Sequence, residues 1–505
     1  IRERVQSELF RKAESVELEC YENPEFYDKY VKAMDSAYNK CMAVVYSVDS
    51  LIYAVVTLFS CSILLFVIDP ILILFGLIPL LFGLIRNKRN KVNKERGDAF
   101  KPLNRREAYV QRTFYLNEYA KEMRLGGIHK LMLEKYAETM KNYMDVFKKY
   151  GLRLVILQFL MNSSAYITEF GAMLYAALRT LVMKTMLLGD CLVVFNSIGQ
   201  VSWALTRMTG VMTEFRDHAM YIEDYRFFLA YDPKIKRVET GKKAEKGDIE
   251  LSGVTFTYRG AKKPALQNVS MKIKQGEKIA LVGHNGSGKT SLVKLLLHLY
   301  EPKAGRITLN EIPVKEYATD SYKAHFTTVF QDFKMFSMSV AENVLLRPLR
   351  EGDEEIVTQA LKKSGAYDKV MSLKNGIHTT LTREFDQEGA VLSVGEAQKV
   401  SLARAFTNDS PVVILDEPSS ALDPIAEYNM FKNMLEACED RTLIFISHRL
   451  SSAVLADRIF MMEDGCIKES GTHKELMKKN GKYARMFRMQ AENYAETESE
   501  VTGRG

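Results

Sequence analysis

Hydrophobic and polar positions divide the chain into two parts with different patterns. Before about residue 210, long apolar runs occupy roughly 41–68, 71–85, 152–182 and 186–205. A helix needs about 20 mostly apolar residues to cross the hydrocarbon core of a bilayer, and the run that begins at Ile71 has no polar face. This run is short, but the basic segment after it can continue the helix into water. We therefore predict four membrane-spanning helices.

Short connections join these runs into two helical hairpins. Asp69-Pro70 separates the first pair, and residues 184–190 separate the second pair. The basic cluster at 86–91 places that end in the cytoplasm by the positive-inside rule, and the Asp69-Pro70 turn outside. Residues 86–149 have helical spacing and are expected to extend into the cytoplasm. The alternative is a soluble helical domain with buried hairpins.

After residue 231 the pattern changes to alternating strands and helices. Residues 249–258 alternate like strands, 278–282 form an apolar strand, and 290–296 continue as a helix. The predicted fold class is therefore multidomain, with an all-α transmembrane domain followed by an α/β P-loop domain. The predicted boundaries are 1–230 for the membrane domain, 231–248 for a linker, 249–490 for the nucleotide-binding domain and 491–505 for a flexible tail.

The loop between the strand at 278–282 and the following helix has the composition of a phosphate-binding P-loop. Glycines let backbone N–H groups wrap around a polyphosphate, and the helix N-terminus adds its dipole. Lys289 can neutralise the β- and γ-phosphates, and the Thr290 hydroxyl can ligate Mg²⁺. We predict that ATP and Mg²⁺ bind here, through Gly283, His284, Asn285, Gly286, Ser287, Gly288, Lys289, Thr290 and Ser291.

An acidic pair follows a second apolar strand, at 412–415. Asp416 suits Mg²⁺, and Glu417 is placed to polarise an attacking water as a general base. An acidic pair after a strand can also be a helix cap, since Pro418 and two serines follow. With a P-loop upstream in the same domain, the sequence favours the catalytic interpretation.

Composition and charge add little to this picture. With 505 residues the chain is long enough for two or more domains, and its net charge is +7. Many of the clustered basic residues flank apolar runs, so nucleic acid is not expected as a partner. The six cysteines are scattered without a Cys-x-x-Cys pair, so neither a zinc site nor a disulfide framework is implied.

The segment Leu392-Ser393-Val394-Gly395-Glu396 resembles the signature of the ABC transporters, which other P-loop ATPases lack. The whole chain is similar to an exporter-type half-transporter, in which a membrane domain precedes the ATPase domain. This resemblance implies that Ser393 and the Gly395 N–H contact the γ-phosphate of ATP held by a partner domain.

Further positions match the same family. The resemblance implies that Tyr258 stacks on adenine, that Gln331 senses Mg²⁺ and the attacking water, and that His448 contacts the γ-phosphate. It also implies that Ser420-Ala421-Leu422-Asp423 crosses a dimer interface. The predicted catalytic residues are therefore Glu417, His448 and Gln331, and the predicted metal ligands are Thr290, Gln331 and Asp416.

The resemblance extends to the membrane half, with exceptions. Residues 21–27 and 120–124 look like the two cytoplasmic coupling segments of exporters. Exporter halves have six spans, so the first two are expected to be absent from this sequence. The signature has Val394 in place of its usual first glycine and Glu396 in place of its usual glutamine. A stiff β-branched residue and an added negative charge could both weaken the ATP site that this signature completes.

The expected function is ATP-driven export of an unidentified substrate, by a dimer with two composite ATP sites and alternating access. Expected partners are a second half-transporter, membrane lipids and a small-molecule, lipid or peptide substrate. The expected location is the cell membrane, multi-pass, with the ATPase domain cytoplasmic. Alternatives are a heterodimer with one asymmetric site, a regulatory or channel-like ABC protein, and a soluble ABC ATPase that acts on DNA or the ribosome.

Overall fold

A computed structural model describes residues 2–418, 424–447 and 449–490. Side chains are not described at residues 2, 35–40, 81, 83, 84, 164, 165, 213, 220 and 424–426. Contacts divide the chain into two units. The first consists of Ile1–Leu9 and Lys29–Leu229, and the second of Phe10–Asp28 and the chain from Ala230 onward.

The first part of the chain is helical throughout. Its helices are α1 (Arg2–Ser15), α2 (Leu18–Glu22), α3 (Pro24–Ile68), α4 (Ile71–Leu81), α5 (Gly83–Tyr115), α6 (Ala120–Leu125), α7 (Ile128–Ala177) and α8 (Leu188–Ala230). A 3-10 turn at Asn117–Tyr119 precedes α6, and a π-helical turn at Leu178–Val182 ends α7.

Three of the described helical segments are long and apolar enough to cross a membrane: Cys41–Ile68, Ile71–Tyr115 and Leu188–Ala230. The run predicted at 152–182 lies in α7 and its π-helical end, and it is not among these three. Much of the apolar surface faces outward, as at Val67, which is 77% exposed. Such an outward apolar surface is what a lipid-facing helix presents.

The second predicted span is interrupted. Instead of continuing as one helix, the chain forms α4 and then α5, with Phe82 between them at φ −87° and ψ 4°. Pro79 lies inside α4, and proline lacks the N–H that would bond to the preceding turn. The basic segment continues as the separate helix α5.

The turn between α3 and α4 is held by a buried carboxylate. Asp69 accepts hydrogen bonds from the Ile71 N–H at 3.0 Å and from the Tyr175 hydroxyl at 2.7 Å. The Arg179 guanidinium lies 3.3 Å from the same carboxylate. These contacts connect the predicted first hairpin to the end of α7 within the first unit. The predicted hairpin turn is thus anchored by charge as well as by its proline.

The second unit contains two sheets. Its strands are β1 (Ile249–Phe256), β2 (Leu266–Ile273), β3 (Lys278–Val282), β4 (Ala304–Leu309), β5 (Ile312–Pro313), β6 (Phe326–Val329), β7 (Val412–Asp416), β8 (Thr442–Ile446), β9 (Arg458–Glu463) and β10 (Cys466–Gly471). One sheet is antiparallel with the order β2-β1-β4-β5, and the other has the order β10-β9-β3-β8-β7-β6. In the second sheet β9, β3, β8, β7 and β6 are parallel, and β10 pairs antiparallel with β9.

Helices cover the larger sheet and form a separate cluster. They are α9 (Lys289–Leu296), α10 (Thr319–Ala324), α11 (Val340–Leu345), α12 (Asp353–Ser364), α13 (Tyr367–Met371), α14 (Val394–Ala403), α15 (Pro424–Ala437), α16 (Leu450–Ala453) and α17 (His473–Lys479). The helices α11, α12, α13 and α14 share a hydrophobic core of their own around Val344, Leu361 and Val400. The strands β3, β7 and β8 are almost completely buried, which explains their uninterrupted apolar sequences.

Candidate functional site

The loop from Gly283 to Gly288 has a backbone path that requires glycine. Gly283 has φ +148°, and a Cβ there would lie 2.2 Å from the Met462 carbonyl oxygen. Gly288, which caps α9, has φ +103°, and its Cβ would lie 2.7 Å from the Ala265 carbonyl oxygen. Side chains would therefore clash with neighbouring backbone. The glycines let the loop pass directly from β3 into the N-terminus of α9.

Lys289 is the first residue of α9 and is folded back onto the loop. Its Nζ donates to the carbonyl oxygens of Gly283 at 2.9 Å and His284 at 3.1 Å, and the residue is only 5% exposed. Burial lowers the pKa of Lys289, while the charges of Glu417 and Asp416 oppose that shift. A buried ammonium held by two neutral carbonyls is suited to receive an anion.

Ser287 supplies a second sign that the loop fits a phosphate. Its Oγ is buried, and it has no hydrogen-bond partner among the described residues. A buried hydroxyl without a partner is costly unless a ligand or water satisfies it. Together with the N–H groups at the start of α9, this hydroxyl provides donors for an anionic oxygen. The loop therefore fits the triphosphate predicted for it.

The predicted metal ligands and the predicted general base, Glu417, lie together at the carboxyl ends of the strands. The Thr290 hydroxyl donates to Asp416 Oδ1 at 3.4 Å, across the strand order from β3 to β7. Asp416 is 1% exposed, and burial raises its pKa to about 6. Gln331 Nε2 donates to Glu417 Oε2 at 2.7 Å. Hydroxyl, carboxylate and amide oxygens are hard donors, so this set fits Mg²⁺.

One cleft of about 440 Å³ brings most of the predicted residues together. It is lined by Tyr258, Ala265, Asn285, Gly286, Gly288, Lys289, Thr290, Ser291, Gln331 and Glu417. Ala265 was not predicted from the sequence, and it carries no polar group that could have signalled it. At one edge of the cleft the Tyr258 hydroxyl lies 3.0 Å from Ser291 Oγ, so the predicted adenine-stacking ring is tied to α9.

The predicted signature residues do not line this cleft. Ser393 is the N-cap of α14 and Gly395 lies in its first turn, in the separate helical cluster. His448 and the segment 420–423 lie outside the described residues, so their roles stay predictions. The predicted residues that line the cleft therefore belong to the phosphate loop, to an aromatic edge at Tyr258 and to an acidic edge at Glu417.

Glu396 differs from its expected role as an added charge beside triphosphate. Its carboxylate accepts from the Ser393 N–H at 2.8 Å, and the Ser393 Oγ accepts from the Glu396 N–H at 3.3 Å. This reciprocal pair is a capping box, a pattern in which Glu and Gln are interchangeable at the third position. Lys369 lies 3.2 Å from the same carboxylate, and the cap and this cation lower the pKa of Glu396. The negative charge of Glu396 is thus bound by groups of its own chain, the Ser393 N–H and Lys369.

A contact missed by sequence reasoning lies behind Tyr258, within the second unit. The Tyr300 ring packs edge-on against Tyr258 with centroids 5.5 Å apart, and its hydroxyl donates to Glu22 at 2.6 Å. Lys294 of α9 lies 5.5 Å from the Tyr258 ring and 3.8 Å from the Glu22 carboxylate. Glu22 ends α2, inside the predicted first coupling segment. The sequence separation of these residues hides the contact from local patterns.

The fold and the cleft define a P-loop ATPase domain attached to a helical domain with apolar, membrane-length segments. Comparison with known proteins shows which type of P-loop ATPase domain this is. Residues 266–420 match the family model described as ABC transporter, so this part of the chain is an ABC-type ATPase domain.

Relatives of known name match a larger part of the chain. It is 34% identical over 319 residues to the ATP-dependent lipid A-core flippase of Salmonella paratyphi A, covering 63% of this chain and 54% of that protein. The same values hold for the ATP-dependent lipid A-core flippase of Escherichia coli K12. The chain thus spans about half the length of the curated relatives it matches.

A solved structure is similar over almost the whole chain. A bacterial Atm1-family ABC exporter with ATP bound superposes with a TM-score of 0.79 at 21% identity, over 97% of this chain and 85% of that one. This likeness concerns the fold. It confirms the predicted fold class, and with the family match and the relatives it confirms the resemblance to an exporter-type ABC half-transporter.

Proposed function

We propose that this chain is half of an ATP-driven exporter, located in the cell membrane with its ATPase domain in the cytoplasm. The observation that supports the proposal is that the predicted residues of one ATP site lie in two separate places on the chain. The cleft contains the phosphate loop and the acidic edge, whereas Ser393 and Gly395 lie elsewhere on the chain. A second chain would supply the missing signature, so two chains would complete two sites.

Nucleotide binding would use groups that are already oriented. Tyr258 would stack on adenine, and the Ser287 hydroxyl and the loop N–H groups would donate to phosphate oxygens. The Lys289 ammonium would leave the carbonyl oxygens of Gly283 and His284 for the β- and γ-phosphates. Because both carbonyls are neutral, exchanging them for anionic oxygens is favourable in the buried site.

Hydrolysis would depend on Glu417 as general base. Its carboxylate would accept a proton from the water that attacks the γ-phosphate, and Gln331 would hold that carboxylate through the observed 2.7 Å hydrogen bond. Thr290, Gln331 and Asp416 would hold Mg²⁺, which when bound neutralises charge on the β- and γ-phosphates. The Asp416 carboxyl must be ionised to bind Mg²⁺, and the positive charge of the neighbouring Lys289 favours the ionised form.

Transport would follow from ATP-dependent closure of two ATPase domains. ATP that contacts both chains binds the closed state more tightly, so it shifts the population towards closure, and hydrolysis releases it. The lipid A-core flippases among the relatives make a lipid the first cargo to test. Either two copies of this chain or a second, different chain could form the pair; Val394 in the signature favours the heterodimer with one weaker site.

The proposal is tested in vesicles that contain the intact transporter. With the wild-type chain, ATP should drive uphill accumulation of a fluorescent lipid in one leaflet. Glu417→Gln should still bind ATP, since the amide keeps the shape of the carboxylate, and should lose turnover by about 100-fold or more. Movement of the lipid only down its gradient would support a channel-like protein, and near-normal turnover of Glu417→Gln would refute the assigned base.

A further inference from the structure

Two arginines of α5 turn towards neighbouring helices of the first unit. Arg86 and Arg89 are half-buried and, being three residues apart, share one face of the helix. The Arg86 guanidinium donates to the backbone and side-chain oxygens of Thr206 on α8, both at 3.4 Å. The Arg89 guanidinium donates to Gln158 of α7 at 2.9 Å and to Asn90 at 3.2 Å. The two side chains therefore lie where α5, α7 and α8 come together.

All of the acceptors that hold these guanidinium groups are neutral. Among the described residues, neither arginine has a carboxylate within ion-pair distance. The sequence contains no Asp or Glu at 86–94 of α5, 146–168 of α7 or 191–213 of α8. The first acid that follows on α8, Glu214, is already paired with Arg207 at 2.5 Å. The cluster thus carries a positive charge that the described residues do not neutralise.

The depth of the two arginines in the membrane follows from helix geometry. At about 1.5 Å per residue, Arg86 lies about 23 Å along the helices from the Asp69-Pro70 turn, and Thr206 lies about 27 Å from the start of α8. The hydrocarbon core is about 30 Å thick. With the turn outside, as the proposed function has it, both residues lie near the inner boundary of that core. Lipid headgroups of the cytoplasmic leaflet occupy this level.

An arginine at this depth normally extends its charge to water along its aliphatic stem. Arg86 and Arg89 instead point into a junction of helices, where an uncompensated charge is expensive. Each guanidinium has five N–H groups, of which the described contacts use two. The unused donors leave each planar guanidinium able to bind the oxygens of a phosphate group, for which arginine is the preferred residue.

We propose that Arg86 and Arg89 bind the phosphate group of an anionic amphiphile that enters from the cytoplasmic leaflet, and that this amphiphile belongs to the substrate class of the transporter. The inference rests on the proposed export function. It assigns the headgroup end of the substrate to this junction, while the acyl chains would remain beside the apolar surfaces of the helices. Lys88, which is exposed on another face of α5 at the same depth, would take no part.

The binding test uses the intact transporter in neutral detergent and fluorescent phosphatidic acid, with phosphatidylcholine as the uncharged comparison. Arg86→Gln/Arg89→Gln should weaken binding of phosphatidic acid by about tenfold or more, the factor that corresponds to 1.4 kcal/mol. Arg89→Lys keeps the charge and loses the fork, so it should fold normally and weaken binding by about threefold. Lys88→Gln removes the same charge as one arginine substitution and should leave the affinity within about twofold.

Two results would overturn the proposal. An equal loss of affinity in Lys88→Gln and in the double arginine variant would mean that only general surface charge attracts the lipid. Displacement of phosphatidic acid by inorganic phosphate at equal concentration would mean that the site takes a soluble anion. ATP-driven translocation is measured separately in vesicles. If the arginines are needed for lipid binding but ATP does not move the lipid, the export function is refuted and the lipid site is supported. If ATP moves the lipid but binding does not depend on the arginines, the export function is supported and the lipid site is refuted.

Discussion

Substitution of Glu396 separates two explanations of the altered signature. If its carboxylate lies against the phosphate of a partner-bound ATP, removing the charge should raise turnover strongly. In the structure the carboxylate instead caps α14 through the Ser393 N–H and pairs with Lys369. Glutamine can make the same cap, so Glu396→Gln should change ATP turnover by less than about twofold.

The stability effects can be worked from the same contacts. Glu396→Gln loses the pair with Lys369, whose side chain is 45% exposed, and the favourable interaction with the helix dipole. Each contributes about 0.3–1 kcal/mol at such a site. Glu396→Ala loses the cap as well, a further ~1 kcal/mol. The total losses are then about 0.6–2 kcal/mol for Glu396→Gln and about 1.6–3 kcal/mol for Glu396→Ala. At about 2–4 °C per kcal/mol for a domain of this size, we expect the unfolding midpoint of the ATPase domain to fall by about 1–8 °C and 3–12 °C respectively.

The assay combines scanning calorimetry with ATP turnover of the intact transporter, and Lys369→Gln serves as the matched control. That variant loses the ion pair but keeps the cap and the dipole interaction, so it should lose about half as much stability as Glu396→Gln. Val394→Gly restores the usual glycine at a site that is 71% exposed, and it should raise turnover where Glu396→Gln does not. A more than fivefold increase of turnover in Glu396→Gln would refute the capping role and return the charge to the phosphate.

Three further predictions concern buried contacts. Tyr300→Phe removes a hydrogen bond to the Glu22 carboxylate and should destabilise the second unit by about 1–2 kcal/mol. The loss in the Tyr300→Phe/Glu22→Gln double variant should be smaller than the sum of the two single losses, because both substitutions remove the same hydrogen bond. Burial lowers the pKa of His325 to about 4. The unfolded chain therefore binds more protons than the folded chain as pH falls from about 6.5 towards 4. The stability that neutral His325 contributes is fully present above that window and should drop by about 2 kcal/mol between pH 7 and pH 5. His325→Gln should reduce the pH dependence of thermal unfolding by this amount, while burial also lowers the pKa of His298 and His473 and leaves their share. Asp69→Asn leaves Arg179 without its carboxylate and should lower the melting temperature of the membrane domain in detergent more than the paired Asp69→Asn/Arg179→Gln variant does.

The part of the site that sequence predicted best is the part made from one continuous segment. A strand, a glycine-rich loop and a helix occur in order around Lys289, and each requires only local backbone geometry. The Glu396 cap was also readable, because Ser393 and Glu396 have the spacing of a capping box. The resemblance to the transporter signature instead led to the prediction that the negative charge of Glu396 weakens an ATP site.

Contacts between distant segments left no such pattern. Glu22 and Tyr300 are joined only because the segment that contains α2 packs within the second unit. A glutamate in a short exposed helix and a tyrosine a few residues after α9 are both ordinary. The pairing of Arg86 with Thr206 has the same character, since positive residues after an apolar run are expected from topology alone. The contacts of the Arg86 side chain, and not its place in the sequence, distinguish a proposed binding site from a residue that only sets the orientation in the membrane.

The donor groups at the start of α14 fit the proposal that a second chain completes the ATP site. The Ser393 Oγ already accepts the Glu396 N–H, so its own proton remains to be donated. Gly395 lies in the first turn, where backbone N–H groups have no acceptor within the helix. This end of α14 therefore offers donors, and the helix dipole favours a negative ligand there. A phosphate held by a partner chain would satisfy these donors without any rearrangement of the cap, and this supports the composite site independently of the family resemblance.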